Sequence, residues 1–189
     1  MNRGSDDATS KCGFPPLLGT APRVLVLGTL PSRLSLEKQQ YYGHPRNGFW
    51  PIMQVLIGAR GSYAERCATL VNYGIAVWDV LAQSVRPGSM DADIDIDSAH
   101  PNPLGEFIQA TDSLLLVCFN GKTAEGLFDR LIGRDTIQRS VRFAALPSTS
   151  PAYAAMSLDE KTRRWGRALA AAIPAVAERL PRNDGGEKR

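Results

Sequence analysis

SLLLVCFN, residues 113–120, decides the fold. It is apolar on both faces of an extended chain, the pattern of a strand covered on both sides in a parallel sheet. Three other runs share its length and character: RVLVLG at 23–28, IAVWDV at 75–80 and SVRFAAL at 140–146. Between and after them the apolar spacing turns helical, which places helices at about 48–58, 61–72, 103–111, 121–132 and 157–179. Trp165, Leu169, Ala172, Ile173 and Val176 give the last helix an inner face, and Pro174 is expected to kink or split it. Strand–helix alternation predicts an α/β fold: a three-layer α/β/α sandwich around a central, mainly parallel four-stranded sheet.

Composition sets the outer bounds. A chain of 189 residues with 43% hydrophobic residues has enough apolar matter for one core and is too apolar for a disordered chain. One domain over residues 23–180 is expected, preceded by a flexible segment at 1–22 that becomes ordered near Phe14 and followed by a frayed end at 181–189. No apolar run approaches the ~20 residues of a membrane span, and MNRGSDDATSKCGFPP lacks the apolar stretch of a secretion signal. A soluble cytoplasmic protein with no membrane partner is expected. Cys12, Cys67 and Cys118 are scattered and one short of a four-thiolate site, so reduced thiols are expected rather than a disulfide framework, zinc or an iron–sulfur cluster. Asp91, Asp93, Asp95 and Asp97 alternate with apolar residues, which on an extended segment points them to one solvated face. No metal and no cofactor are expected.

In a parallel sheet, ligands gather at the carboxyl ends of the strands, so chemistry is expected just after Leu27, Trp78, Phe119 and Leu146. The segment at 28–50, GTLPSRLSLEKQQYYGHPRNGFW, is long, polar and aromatic, the character of a binding loop. The dinucleotide glycine fingerprint is absent after Gly28. The GKT at 121–123 is no phosphate loop, because the glycine the motif requires earlier is Leu116, inside the strand. No serine elbow accompanies His44 or His100. LPSTSPAYA at 146–154 is a short hydroxyl-rich loop suited either to phosphate oxygens or to capping the next helix at Ser157. The net charge is +3, and between residues 23 and 50 Arg23, Arg33, Lys38 and Arg46 face Glu37 alone. Two further basic runs, at Arg130–Arg142 and Lys161–Arg167, read as solvated faces.

Residues 28–50, with GTLPS and then YYGHPRNGFW, resemble the first signature of the uracil-DNA glycosylase superfamily. The resemblance is nearest to its hypoxanthine-DNA glycosylase branch, related to the mismatch-specific thymine/uracil branch. LPSTSPA at 146–152 resembles the second signature, and GIAVWDVL at 74–81, RPGSMDADI at 86–94 and FNGKTAEGLF at 119–128 are similar to the hypoxanthine branch at matching places. Where the mismatch-specific branch has a water-positioning Asn, this chain has Leu30; in the hypoxanthine branch an Asn further along takes that role, which falls on Asn47. The resemblance implies a monofunctional glycosylase that flips out and hydrolytically excises a deaminated base, hypoxanthine or uracil, from double- or single-stranded DNA. It implies a nucleoid-associated monomer that leaves an abasic site for base excision repair.

Such chemistry needs three parts. An extruded base needs a pocket: Tyr42, where the superfamily places an aromatic under the base, with Phe49, Gly28, Thr29 and Asn120. The phosphates need a polar and basic face: Arg33, Lys38 and Arg46 beside Ser148, Thr149 and Ser150. The cation-like sugar needs an oriented water, assigned to Asn47, and hydrogen bonds that stabilise the departing base; Asp79, at a strand end, is a further catalytic candidate. Two rival readings stay open, a hydrolase of free nucleosides or nucleotides on the same sandwich and a damaged-DNA-binding module without catalysis.

Overall fold

The computed structural model describes residues 10–87 and 90–179. The frayed end expected at 181–189 and the first nine residues lie outside them. In chain order the strands are β1 (Ser10–Cys12), β2 (Val24–Gly28), β3 (Ile75–Asp79), β4 (Leu81–Val85), β5 (His100–Pro101), β6 (Leu116–Asn120) and β7 (Arg142–Leu146). The helices are α1 (Arg33–Lys38), α2 (Phe49–Ile57), α3 (Tyr63–Asn72), α4 (Leu104–Ala110), α5 (Lys122–Leu131), α6 (Leu158–Ala170) and α7 (Pro174–Ala177). The four apolar runs supply the main sheet, ordered β3-β2-β6-β7 with every neighbouring pair parallel.

The period-two geometry of β2 sends Val24 and Val26 to one face and Leu25 and Leu27 to the other. The first face is covered by α2, α3, α6 and α7, around Phe49, Met53, Leu70, Trp165 and Val176. The second is covered by α4 and α5, around Leu104, Ile108, Leu127 and Phe128. All five residues of β2 and of β3 are buried, as continuous apolarity requires. This is the expected three-layer sandwich.

Pro174 splits the last helix: its ring cannot continue the ladder, and it becomes the first residue of α7. Ser62 and Glu65 start α3 with a reciprocal capping box. The long loop at 28–50 contains a helix that the apolar spacing did not reveal, α1, capped by the Ser32 side chain accepting from Ser35 N–H.

A second, antiparallel sheet of order β1-β4-β5 was not anticipated. It places ordered chain at Ser10–Cys12, a few residues before the ordering expected near Phe14. Ser10, Lys11 and Cys12 pair with Val85, Ser84 and Gln83. Leu17 bridges Val77, and the Tyr41 hydroxyl donates to the Pro15 carbonyl at 3.2 Å. Pairing across such sequence distance leaves no local trace in a short polar segment. The aspartates at 91–97 are also not on an extended segment: Asp91–Asp93 and Ile96–Ser98 form two 3₁₀ turns.

The connections place the site. From β2 the chain leaves toward the face of α2 and α3, whereas from neighbouring β6 it leaves toward the face of α5. The two loops part above adjacent strand ends and leave a crevice between them, the ligand-binding position of open α/β sheets.

Trp165 ties this frame together from α6. Its ring is fully buried, lies edge-on to Phe49 with centroids 6.0 Å apart, and its Nε1–H donates to the Pro147 carbonyl at 3.0 Å. Trp165→Ala should cost about 3–5 kcal/mol in urea unfolding, while Val55→Ala, at a side chain 51% exposed, should stay within about 0.5 kcal/mol. Equal effects at the two positions would contradict this packing.

Candidate active site

The crevice holds a cavity of about 300 Å³, within the range of small-ligand pockets. Gly28, Thr29, Tyr42, Asn47, Asp79, Asn120, Ser148 and Ser150, all singled out from the sequence, line it. They come from the ends of β2, β3 and β6 and from the two loops at 28–50 and 146–154.

Gly28 and Asp79 are paired residues at the ends of β2 and β3. A Cβ at position 28 would lie 2.4 Å from Asp79 Oδ1, so only glycine leaves the carboxyl its place. Asp79 is 4% exposed and its Oδ2 has no hydrogen-bond partner. The main-chain carbonyl of Asp79, by contrast, accepts from Asn102 Nδ2 at 2.9 Å, which fixes the strand end. Burial, and next the negative charge of Asp91, push the Asp79 carboxyl up to about 7, against an opposing pull from Arg86. Near neutral pH it can therefore both donate and accept a proton.

Tyr42 adopts φ 54°, a left-handed conformation unfavourable for a bulky residue. The turn around it is over-determined: Gly43 N–H donates to Ser35 Oγ at 3.1 Å, and Lys38 Nζ donates to the Gly43 carbonyl at 3.0 Å. The Tyr42 ring stacks on Phe49 with centroids 4.1 Å apart and 29° between planes. Its hydroxyl is buried without a hydrogen-bond partner; Asn120 faces it, but no bond of ordinary geometry joins them. Burial, then the charge of Asp79, push this phenol far above its usual value, so it stays neutral.

Asn47 lines the cavity, and its Oδ1 accepts from Phe49 N–H at 2.9 Å, which starts α2. Asn120 holds the opposite loop: its Nδ2 donates to Thr149 Oγ1 at 2.9 Å and its Oδ1 accepts from Thr149 N–H at 2.8 Å. The Thr149 carbonyl in turn accepts from Gly48 N–H at 2.9 Å. The two signature loops are thus sewn together behind the cavity. Gly121, at φ 104°, lets this happen, since a Cβ there would come within 2.9 Å of Ser148 Cβ. Lys161 supports the same loop from α6, donating to the Tyr153 carbonyl at 2.7 Å.

Two assignments change. Thr149 is 1% exposed and spends its hydroxyl on Asn120, so it braces the loop instead of facing phosphate. Phe49 is fully buried and supports Tyr42 from beneath without lining the cavity. Arg46 is exposed and lies outside the cavity lining. Two residues escaped the sequence reading. Asp91 lines the cavity and accepts from Thr29 Oγ1 at 2.6 Å, and Arg86, 1% exposed, donates to the carbonyls of Leu30 and Pro31 and lies 3.7 Å from Asp91 Oδ1. Both follow a strand that lacks an apolar signature. The available signal was RPGSMDADI itself, a segment similar to the hypoxanthine branch whose aspartates alternate as on a solvated face. Among the described residues, no group of three or more His, Cys, Asp or Glu could hold a metal ion. No helix among them is long and apolar enough to cross a membrane.

The sequence pattern of a family described as "Uracil DNA glycosylase superfamily" matches residues 15–172. A hypoxanthine DNA glycosylase of Methanosarcina acetivorans is 36% identical over 145 residues, 75% of this chain and 87% of the relative. Another of Methanosarcina barkeri is 36% identical over 115 residues, 59% of this chain and 72% of the relative. A solution NMR structure of a candidate uracil DNA glycosylase from Methanosarcina acetivorans superposes with a TM-score of 0.67 at 33% identity, covering 82% of this chain and 95% of the other.

The raised Asp79 carboxyl has a thermodynamic signature. Its proton is lost near pH 3.8 in an ordinary carboxyl but held to about 7 in the fold. Unfolding between these values therefore releases a proton, and the Asp79 contribution to stability falls as pH rises from about 4 to about 7 and is level above. Asp91, also shifted upward, acts in the same sense. Urea unfolding of the parent and of Asp79→Asn at pH 4.5, 6 and 8 isolates the Asp79 part: the variant should gain on the parent as pH rises. Parallel pH profiles would contradict a buried, uncompensated carboxyl.

Proposed function

The chain belongs to the uracil DNA glycosylase superfamily, and on that premise we propose that it excises hypoxanthine, and uracil as a second substrate, from DNA. It is a DNA glycosylase, and DNA is its substrate. The observation that carries the finer reading is the cavity at the switch point, a slot of base size lined by Tyr42 and Asp79, whose hydroxyl and Oδ2 are buried without a hydrogen-bond partner. Unsatisfied buried groups are costly unless a ligand completes them. Hypoxanthine and uracil each carry a carbonyl and an N–H on the edge that pairs in a duplex, so either could answer both atoms. The names of the two Methanosarcina relatives support hypoxanthine as the first of them.

The mechanism follows from the groups present. The base leaves the stack, at a cost of a few kcal/mol that is smallest at a mismatch, and lies against Tyr42, whose ring is already held by Phe49. The bond from C1′ to the base nitrogen breaks with its electron pair going to the base. A protonated Asp79 carboxyl donates to the departing base and so stabilises the charge it gains. The sugar becomes cation-like and needs an oriented water more than a strong base. Asn47, its Oδ1 engaged with Phe49 N–H, presents its amide at the cavity wall for that water. The proton that water loses passes to solvent, and the Asp79 carboxylate is reprotonated from solvent once the base has left. Ser148 and Ser150 line the outer cavity and suit the phosphate of the extruded nucleotide. The working unit in this reading is a monomer, located with its substrate at the nucleoid.

An oligonucleotide carrying inosine should acquire an alkali-labile abasic site when incubated with the protein and a metal chelator, and uracil should be released more slowly. Asn47→Ala should lower the single-turnover rate by about 10²–10³, and the parent rate should fall as pH rises through about 7 whereas Asp79→Asn should lose that inflection. Full activity in Asn47→Ala removes that residue from the mechanism. Release from free deoxyinosine at the rate seen in DNA would favour a nucleoside hydrolase, and tight damage binding without release would favour a sensor.

A further inference from the structure

A second groove, of about 520 Å³, adjoins the base cavity and shares Tyr42 and Asn47 with it. It lies between the turn at 38–47, the start of α2 and the junction at 59–66 that leads into α3. The two spaces are separated by one ring and one amide, so whatever occupies the second is a chemical neighbour of whatever occupies the first.

Among the described residues, Lys38, His44, Arg60 and Arg66 line this groove and no Asp or Glu does. The nearby carboxylates are already engaged: Glu65 accepts from Ser62 N–H at 2.7 Å and from its hydroxyl at 2.6 Å, and Glu37 pairs with Arg33 at 3.4 Å. Arg66 supplies an independent observation. Its guanidinium stacks over Trp50 at 4.5 Å and lies 5.8 Å from the Tyr63 ring centre. Its Nε is buried, and among the described residues it has no hydrogen-bond partner. Trp50 is itself fixed, donating from Nε1 to the Tyr41 carbonyl at 2.9 Å. A guanidinium held over an aromatic ring loses less freedom when it forks onto a phosphate. Arg60 is exposed beside it, and Lys38 already reaches the Gly43 carbonyl of the same turn. This is a one-signed groove with a guanidinium already placed over Trp50, and its natural complement is a polyanion.

We propose that the groove is a phosphodiester track that holds, through Arg60, Arg66 and Lys38, the backbone of the strand flanking the extruded nucleotide. The proposal rests on the reading of the adjoining cavity as the base pocket. Its role is distinct from that of Ser148 and Ser150, which face the extruded nucleotide itself. By fixing the strand next to the lesion, the track makes extrusion an event within an already bound complex and contributes affinity that does not depend on the damaged base.

The test is the salt dependence of binding to an undamaged, fluorescently labelled single-stranded oligonucleotide, read by anisotropy for the parent, Arg60→Gln and Arg60→Gln/Arg66→Gln. Each lost phosphate contact should reduce the slope of log K against log salt by about 0.7 on a single strand. The double variant should therefore lose about 1.4 and bind about tenfold or more weakly at low salt. Arg60, being exposed, keeps the test valid even where removal of Arg66 unsettles Trp50. Unchanged slopes in both variants, with inosine still excised by the parent, would overturn the track while leaving the function standing. Failure of the parent to excise any base would overturn the function, and the slopes would still report on the groove. Competition by inorganic phosphate at millimolar concentration, equal to that by the oligonucleotide per phosphate, would mark a small-anion site and overturn the track as well.

Discussion

The close approach of β2 to the Asp79 carboxyl is the constraint on which the site depends. Parallel pairing sets Gly28 directly against Asp79 at the last rungs of β2 and β3, and the carboxyl takes the space that any larger residue at 28 would fill. Two consequences follow. The cavity exists because the end of β2 carries no side chain. And an acid is kept there with one oxygen unpartnered, in surroundings that hold its proton to about neutrality. A group in that condition costs stability. The surrounding frame offsets the cost through a deeply apolar core on both faces of the sheet.

The rest of the site is bracing. Gly48 N–H, donating to the Thr149 carbonyl, joins the two signature loops, and two hydrogen bonds with Asn120 hold Thr149 to the end of β6. Trp165 and Lys161 fasten the second loop to α6, and Arg86 fastens the first to the end of β4. Tyr42 is held in an unfavourable backbone conformation by contacts on every side. Backbone strain of this kind persists only where the surroundings over-determine it, and it pre-orients the ring before any base arrives. Preorganisation is the central requirement for a reaction in which the enzyme mainly orients water and stabilises a leaving anion.

The central sheet was legible because its strands are buried on both faces, and runs as short and as apolar as VLVLG or LVCFN fit a covered strand better than a helix. Gly28 and Asn120 were legible as strand ends, whereas Tyr42 and Asn47 were singled out through the resemblance to the glycosylase signature. What escaped was whatever depends on distant partners. Ser10–Cys12 is polar and forms a strand only because Gln83–Val85 lies beside it. Thr149 looked like a phosphate contact because nothing local shows that Asn120 consumes its hydroxyl. Asp93, Asp95 and Asp97 are exposed as the alternation suggested, but the segment forms two 3₁₀ turns, and Asp91 lines the cavity.

The central claim is that a nucleobase turned out of its helix lies on Tyr42 with its pairing edge toward Asp79. A crystal structure of the protein with a duplex carrying 2′-fluoro-deoxyinosine, whose glycosidic bond resists cleavage, measures this directly. The account predicts hypoxanthine stacked on the Tyr42 ring, within hydrogen-bond distance of the Asp79 carboxyl, and Asn47 holding a water on the C1′ side. A bound duplex with the base still stacked between its neighbours and the cavity above Gly28 unfilled would contradict it.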